Sequence, residues 1–277
     1  MRISVLLRSL LFLLLCLVVS GIVVAQEVNP EATSTPVDRS EPTWDGTYRR
    51  IQMPILMYHY VSALPGDADE VRTDLTLSPD LFRAHMDALF YQGFTPVSLY
   101  DLDNALLTGM PLPAKPVILT FDDGYTDHYT NVFPVLKQYG FTATFFIITG
   151  TADASDPAYL SWAQINEMSA AGMDMEPHTK THADLRSRDY DFLVYQMLGS
   201  IESLQAYIGK IPHMFSFPIG HYDDSTLAVA QSLSIWRAVT TENGFLITTD
   251  NRFELPRLRI HDYTGVTGLL QLVRGIF

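Results

Sequence analysis

From Ile51 onward, short apolar runs alternate with stretches of helical periodicity, and no segment repeats another. Strand and helix alternating on this scale require a parallel sheet whose crossovers are helices. The runs that read as strands are 54–60, 95–98, 117–121, 143–148, 173–176, 214–217, 238–241 and 258–260. Between them, Ser78 and Pro79 open a helix whose stripe is Phe82, Met86, Leu89 and Phe90, and Gly93 closes it. Further helices fall at 133–139, 161–171, 190–208, 225–233 and 264–277. Such alternation favours a barrel-like α/β domain, in which sites gather at the C-terminal strand ends.

Asp122 and Asp123 close the run Val117-Ile118-Leu119-Thr120-Phe121 and are followed by Gly124. An isolated Asp-Asp-Gly is usually a turn, and an isolated histidine pair is weak evidence of anything. Here the two features occur together: His178 and His182 follow the Asp pair and also come after an apolar stretch. Two imidazoles four positions apart converge on one ion if the segment turns helically. Asp123, His178 and His182 are therefore read as ligands of one divalent metal, with Zn²⁺ expected for mixed nitrogen and oxygen donors and Co²⁺ or Ni²⁺ as alternatives. Asp122 is left over as a base.

These residues resemble the polysaccharide deacetylases, the NodB-homology enzymes of carbohydrate esterase family 4. Thr120-Phe121-Asp122-Asp123-Gly124 is similar to their first motif, His178-Thr179-Lys180-Thr181-His182 to the second, and Phe217-Pro218-Ile219-Gly220 to the third. The segment Pro54-Ile55-Leu56-Met57-Tyr58-His59-Tyr60-Val61 is similar to the branch holding the poly-N-acetylglucosamine de-N-acetylases. The resemblance spans about residues 53 to 260. It implies a distorted, seven-stranded NodB-like (β/α) barrel and a hydrolase that removes N-acetyl groups from N-acetylglucosamine-containing polysaccharide.

It also implies roles for particular residues. Asp122 would deprotonate the attacking water, and the backbone N–H of Ile219 would help hold the oxyanion. A late histidine, here His261, would protonate the leaving amine, with His59, His213 and His221 as competitors. Many family members carry an arginine two residues before the third-motif proline, where it orients the catalytic Asp; this chain has Ser216 there. Tyr125, directly after the Asp-Asp-Gly turn, is the first candidate for stacking on a sugar, followed by Phe217, Tyr222 and Trp236. His85, His128 and His213 read as bystanders on helix or loop surfaces. An O-acetyl esterase acting on xylan and a non-catalytic carbohydrate-binding or scaffolding protein are the competing functions.

The remaining features bound partners and location. Arg2 and Arg8, the apolar stretch from Leu10 to Val19 and Val23-Val24-Ala25 read as an export signal over 1–25, or as an uncleaved membrane anchor. Residues 26–50 read as a flexible linker rich in Glu, Pro, Thr and Ser, and 51–277 as the catalytic domain. The expected location is secreted or extracytoplasmic. Cys16, within the leader, is the sole cysteine, so the exported body has no disulfide. Of 18 basic and 31 acidic residues the leader takes two basic ones, which leaves a net charge of −15 and argues against nucleic acid as a partner. An acetylated polysaccharide is the expected partner, neutral or cationic by that charge, and a monomer the expected state.

Overall fold

Seven parallel strands curl into a barrel that no backbone ladder closes. The computed structural model describes residues 40–275, so the expected leader and the first part of the linker lie outside the described residues. The strands are β1 (Ile55–Tyr58), β2 (Pro116–Phe121), β3 (Thr144–Ile147), β4 (Asp174–Pro177), β5 (Met214–Ser216), β6 (Arg237–Asn243) and β7 (Leu255–Arg259). Their order is β4-β3-β2-β1-β7-β6-β5, parallel throughout. The expected strand near residue 95 is a two-residue segment, Thr95–Pro96, paired to the start of β2.

The seam between β4 and β5 is bridged by side chains. The buried Glu176 carboxylate accepts hydrogen bonds from the backbone N–H of Met214 (2.9 Å) and His213 (3.1 Å) and from the Tyr100 hydroxyl (2.7 Å). Two residues further up the same strand face, the His178 Nδ1–H donates to the Ser216 carbonyl at 2.7 Å. A side chain that closes the barrel is thus also one of the expected metal ligands.

The barrel interior is layered. Ile55, Ile118, Phe146, Met214, Val239 and Leu255 pack as an apolar floor. One strand repeat higher come Thr120, Ser216 and Arg257, all fully buried. The sheet's outer face carries a second core, in which Leu56, Tyr58, Leu119, Phe121 and Phe145 meet Phe82, Met86 and Leu89. Each such large side chain contributes about 1.5–3 kcal/mol on burial.

The helices follow local chemistry. In Pro79–Tyr91, the Ser78 hydroxyl accepts from the Leu81 N–H and Pro79 sits in the first turn. Phe90, expected in the buried stripe, is 48% exposed. At about 100° per residue it lies about 80° round the helix from Phe82, on the rim of the buried face. The helix Tyr190–Ile208 runs from an Asp189 cap to Gly209 in the left-handed region, as its periodicity predicts.

Two further elements depart from the sequence reading. Leu99–Thr108 is a helix with a reciprocal Ser98–Asp101 capping box, and nothing was expected there. The expected linker is tied to the domain from Asp45 on: its N–H donates to Leu107 O (3.0 Å), and Arg50–Gln52 pairs antiparallel with Leu246–Thr248. The body therefore starts some residues before Ile51.

Candidate active site

His59, Asp122, Asp123 and His178 each stand one or two residues past the C-terminal end of a barrel strand. Together with Tyr125, His182 and Ile219 they line one cleft of about 400 Å³. Parallel strands deliver their ends to one mouth, so residues 55 or more positions apart in the chain share this space.

The backbone there is bent into unusual conformations. Of the seven non-glycine residues with positive φ among those described, four belong to the site: Asp123 (73°), Thr179 (66°), His182 (55°) and Ile219 (60°). Each costs on the order of 1–3 kcal/mol and persists only where the surroundings enforce it. Gly220 (φ 75°) is packed so closely that an added Cβ would lie 2.2 Å from Thr241 Oγ1. No side chain fits there.

The histidine pair converges differently from expectation. Residues 178–182 form a tight turn and no helix, because Thr179 and His182 leave the helical region and the Thr179 hydroxyl accepts from the His182 N–H (2.9 Å). Buried Gln196 holds this turn, its Oε1 accepting from the N–H of both Lys180 and Thr181 at 3.1 Å.

The result is a donor set suited to a cation. Asp123 Oδ1 lies 3.4 Å from Nε2 of His178 and 3.4 Å from Nε2 of His182, and it is buried without a hydrogen-bond partner. One ligand atom from each residue falls within 4.8 Å of the others. Because a carbonyl only accepts, the Ser216 bond puts the proton of His178 on Nδ1 and turns Nε2 toward Asp123. Two nitrogens and one oxygen with an open side fit a divalent ion such as zinc.

Electrostatics keep the carboxylates ionised. Burial pushes Asp122 up, but the Arg257 charge and its hydrogen bonds outweigh this and bring the pKa to about 2. Burial likewise opposes ionisation of Asp123, and His178, His59 and His182 overcome it, so its pKa is also lowered. Burial lowers His59 to about 4 despite the nearby Asp122 and Asp123.

Arg257 is the functional residue that sequence reasoning missed. Its Nη1 and Nη2 grip Asp122 Oδ1 and Oδ2 at 2.7 and 2.6 Å, and Nη2 also reaches Ser216 Oγ at 3.3 Å. A small residue at 216 leaves the space that this guanidinium fills from β7. The clamp expected from an arginine at 216 is present, supplied from 41 positions later.

Other expected residues fall elsewhere. His261 does not line the cleft; it faces a neighbouring cavity, with Nδ1 2.7 Å from Asp74 Oδ1. His59 does line it, its Nε2 4.0 Å from Asp122 Oδ2. Tyr125 is at the cleft but stacked on Tyr60 (centroids 3.6 Å) and Tyr159 (5.2 Å), so its ring is committed to the protein. Phe217 and Trp236 are core residues. His85 and His128, expected on the surface, are fully buried: Nε2 of each donates to a carbonyl, Thr264 at 2.8 Å and His59 at 2.7 Å.

Comparison with known proteins agrees with this geometry. The sequence model of the polysaccharide deacetylases matches residues 109–237. Streptococcus pyogenes deacetylase PplD, whose structure contains acetate, superposes with a TM-score of 0.75 at 30% identity, covering 81% of this chain and 99% of that one. The Bacillus subtilis protein YxkH is 29% identical over 85% of this chain and 82% of its own. The poly-beta-1,6-N-acetyl-D-glucosamine N-deacetylase of Escherichia coli K12 is 26% identical over 61% of this chain, and the match spans 31% of that enzyme's length. With the Asp-Asp pair, the two histidines and the third-motif turn gathered at one barrel mouth, the chain belongs to the polysaccharide deacetylase family.

Proposed function

We propose that this protein is an exported, metal-dependent deacetylase that hydrolyses the N-acetyl groups of an N-acetylglucosamine-containing polysaccharide. The observation that carries the reading is the buried, unpartnered Asp123 Oδ1 held 3.4 Å from two imidazole nitrogens. The poly-N-acetylglucosamine deacetylases among the relatives support the choice of substrate. Export rests on the basic and apolar leader.

Asp123, His178 and His182 would hold a divalent ion, and the chemistry it would supply is Lewis acidity toward a water and the acetyl carbonyl. Asp122, kept ionised and immobile by Arg257, takes the proton of the attacking water. The backbone N–H of Ile219, on the exposed turn across the cleft, donates to the developing oxyanion. An amide nitrogen leaves only when protonated, and of the three histidines lining the cleft His59 is the one outside the Asp123, His178 and His182 cluster. A proton captured by Asp122 lies 4.0 Å from His59 Nε2, one transfer from the leaving group.

Two experiments test this. Asp123→Ala, His178→Ala and His182→Ala should each lower bound metal and acetate release together, and unchanged metal stoichiometry in all three overturns the site. His59→Ala should suppress acetate release from N-acetylglucosamine oligomers far more than hydrolysis of an aryl acetate, whose phenolate departs unprotonated. If His261→Ala shows that selective loss and His59→Ala does not, the donor is His261.

A further inference from the structure

Beside the cleft lies a second cavity of about 700 Å³, well inside the range of roughly 300–1,000 Å³ typical of ligand pockets. Thr241 and Arg259 line both, so the two spaces adjoin. This chain has 31 acidic residues against 18 basic ones, yet no carboxylate lines the larger cavity. Its basic residues are Arg257, Arg259 and His261.

Arg257 is consumed by Asp122, and His261 is bonded to Asp74. Arg259 differs. Half-buried at the junction of the two spaces, its guanidinium makes no hydrogen bond or ion pair among the described residues. The carboxylates of the adjoining cleft are directed elsewhere: Asp122 is held by Arg257, Asp123 faces His178 and His182, and Asp69 accepts from the Arg72 N–H that it caps. A partly desolvated, unpaired guanidinium with Asn243 and Gln271 on the same walls is suited to receive an oxyanion, because its planar fork matches carboxylate or phosphate oxygens.

We propose that this cavity is an oxyanion subsite: it binds a carboxylate or phosphate borne by the sugar next to the one that loses its acetyl group, with Arg259 as the recognition residue. The proposal rests on the deacetylase reading and narrows it to an acidic glycan. It also reverses what net charge alone implies, since the charge of the whole chain sits outside this cavity.

Calorimetry on the metal-stripped protein with its native Asp122, which keeps Arg257 engaged and does not turn substrate over, tests it. The probes are N-acetylglucosaminyl-N-acetylmuramic acid oligomers with the lactyl carboxylate free or converted to carboxamide, and N-acetylglucosamine oligomers with or without a phosphate monoester. One anionic form or both should bind at least about tenfold tighter than the neutral counterpart, and the tighter one names the source. Adding Arg259→Gln should bring that ratio within about twofold, while Arg259→Lys, which keeps the charge, should retain part of it. Should the Gln variant fail to fold, the anion preference of the parent must still shrink as salt is raised. No preference for either anion, or one that survives Arg259→Gln or high salt, overturns the proposal. Acetate release by the wild-type protein is scored separately: a charge preference without acetate release counts against the deacetylase reading and leaves the subsite standing.

Discussion

Two buried arginine–aspartate pairs sit on neighbouring barrel strands and are built to different standards. Arg257, on β7, meets both oxygens of Asp122, and its remaining N–H groups reach Thr240 O, Thr120 Oγ1 and Ser216 Oγ. Arg237, at the start of β6, reaches Asp103 on the helix Leu99–Thr108 through Nε alone. Arg237 Nη1 and Asp103 Oδ2 find no hydrogen-bond partner among the described residues. Both pairs escape water equally, but only one fixes the orientation of its carboxylate. A buried ion pair is weak evidence of stability, since desolvation offsets attraction. The completeness of the surrounding hydrogen bonds is what marks the Asp122 pair as a positioning device.

The largest effects should come from cutting each pair on one side. Arg257→Met and Arg237→Met each strand a buried aspartate and should cost about 3–5 kcal/mol, read from denaturant midpoints. Only Arg257→Met should also forfeit much of the roughly 10²- to 10⁴-fold that a positioned base contributes. It should shift the acid limb of kcat/KM upward too, since burial then meets only the weaker pull of His178 and His59 on Asp122. A matching shift in Arg237→Met would erase the distinction between the pairs.

Removing both partners sharpens the contrast. Arg237→Met with Asp103→Leu should recover most of the lost stability, because no charge remains buried. The same treatment of Arg257 and Asp122 should restore stability without activity. Failure of either double variant to exceed its single variant in stability would show that packing, and not stranded charge, sets the cost.

The pH dependence of stability separates the site from its surroundings. Asp122 has a folded pKa of about 2 against 3.8, so its contribution is complete above about pH 4 and disappears as the pH falls toward 2. His85, lowered by burial to about 4 from 6.5, works in another window: the unfolded chain takes up the proton first, so stability declines as pH falls from 6.5 to 4. His59, lowered to about 4, acts in that same range. His85→Gln should flatten part of the slope between pH 6.5 and 4 and leave the slope below 4 intact, whereas Arg257→Met should flatten part of the lower one, to which the lowered Asp123 and Asp184 also contribute. Equal slopes in all three proteins would refute both assignments.

What could be read in the sequence follows from range. The barrel strands were legible because each is a short apolar run, and the Asp123, His178 and His182 cluster because its residues follow those runs. The clamp on Asp122 was not legible. Arg257 and Asp122 are 135 positions apart, and in Leu255-Pro256-Arg257-Leu258-Arg259 the two arginines alternate like solvent-facing residues of a strand. In a barrel with a polar layer inside, that pattern points inward. His59 and His261 could not be told apart for a similar reason, since both follow strands and only three-dimensional placement separates cleft from side cavity. The helix Leu99–Thr108 could have been found: its Ser98–Asp101 capping box and the Leu99, Leu102, Leu106 spacing were present in the chain.

The smallest effect should come from Ser216, and it tests how the clamp is divided. Its hydroxyl reaches Arg257 Nη2 at 3.3 Å, a long bond beside the two short ones to Asp122. Ser216→Ala removes that one contact and leaves the fork engaged, since Nη2 still has Asp122 Oδ2. The side chain is fully buried, so the alanine exchanges a hydroxyl for a slightly emptier apolar surface in contact with Arg257. The expected cost is about 1 kcal/mol or less in stability. The rate should fall by no more than about fivefold, the equivalent of that energy in transition-state terms. The acid limb of the pH profile should stay in place, because the charge that depresses Asp122 is untouched. A displaced limb in Ser216→Ala would mean that the serine, and not the two-toothed grip of Arg257 alone, sets the orientation of the base.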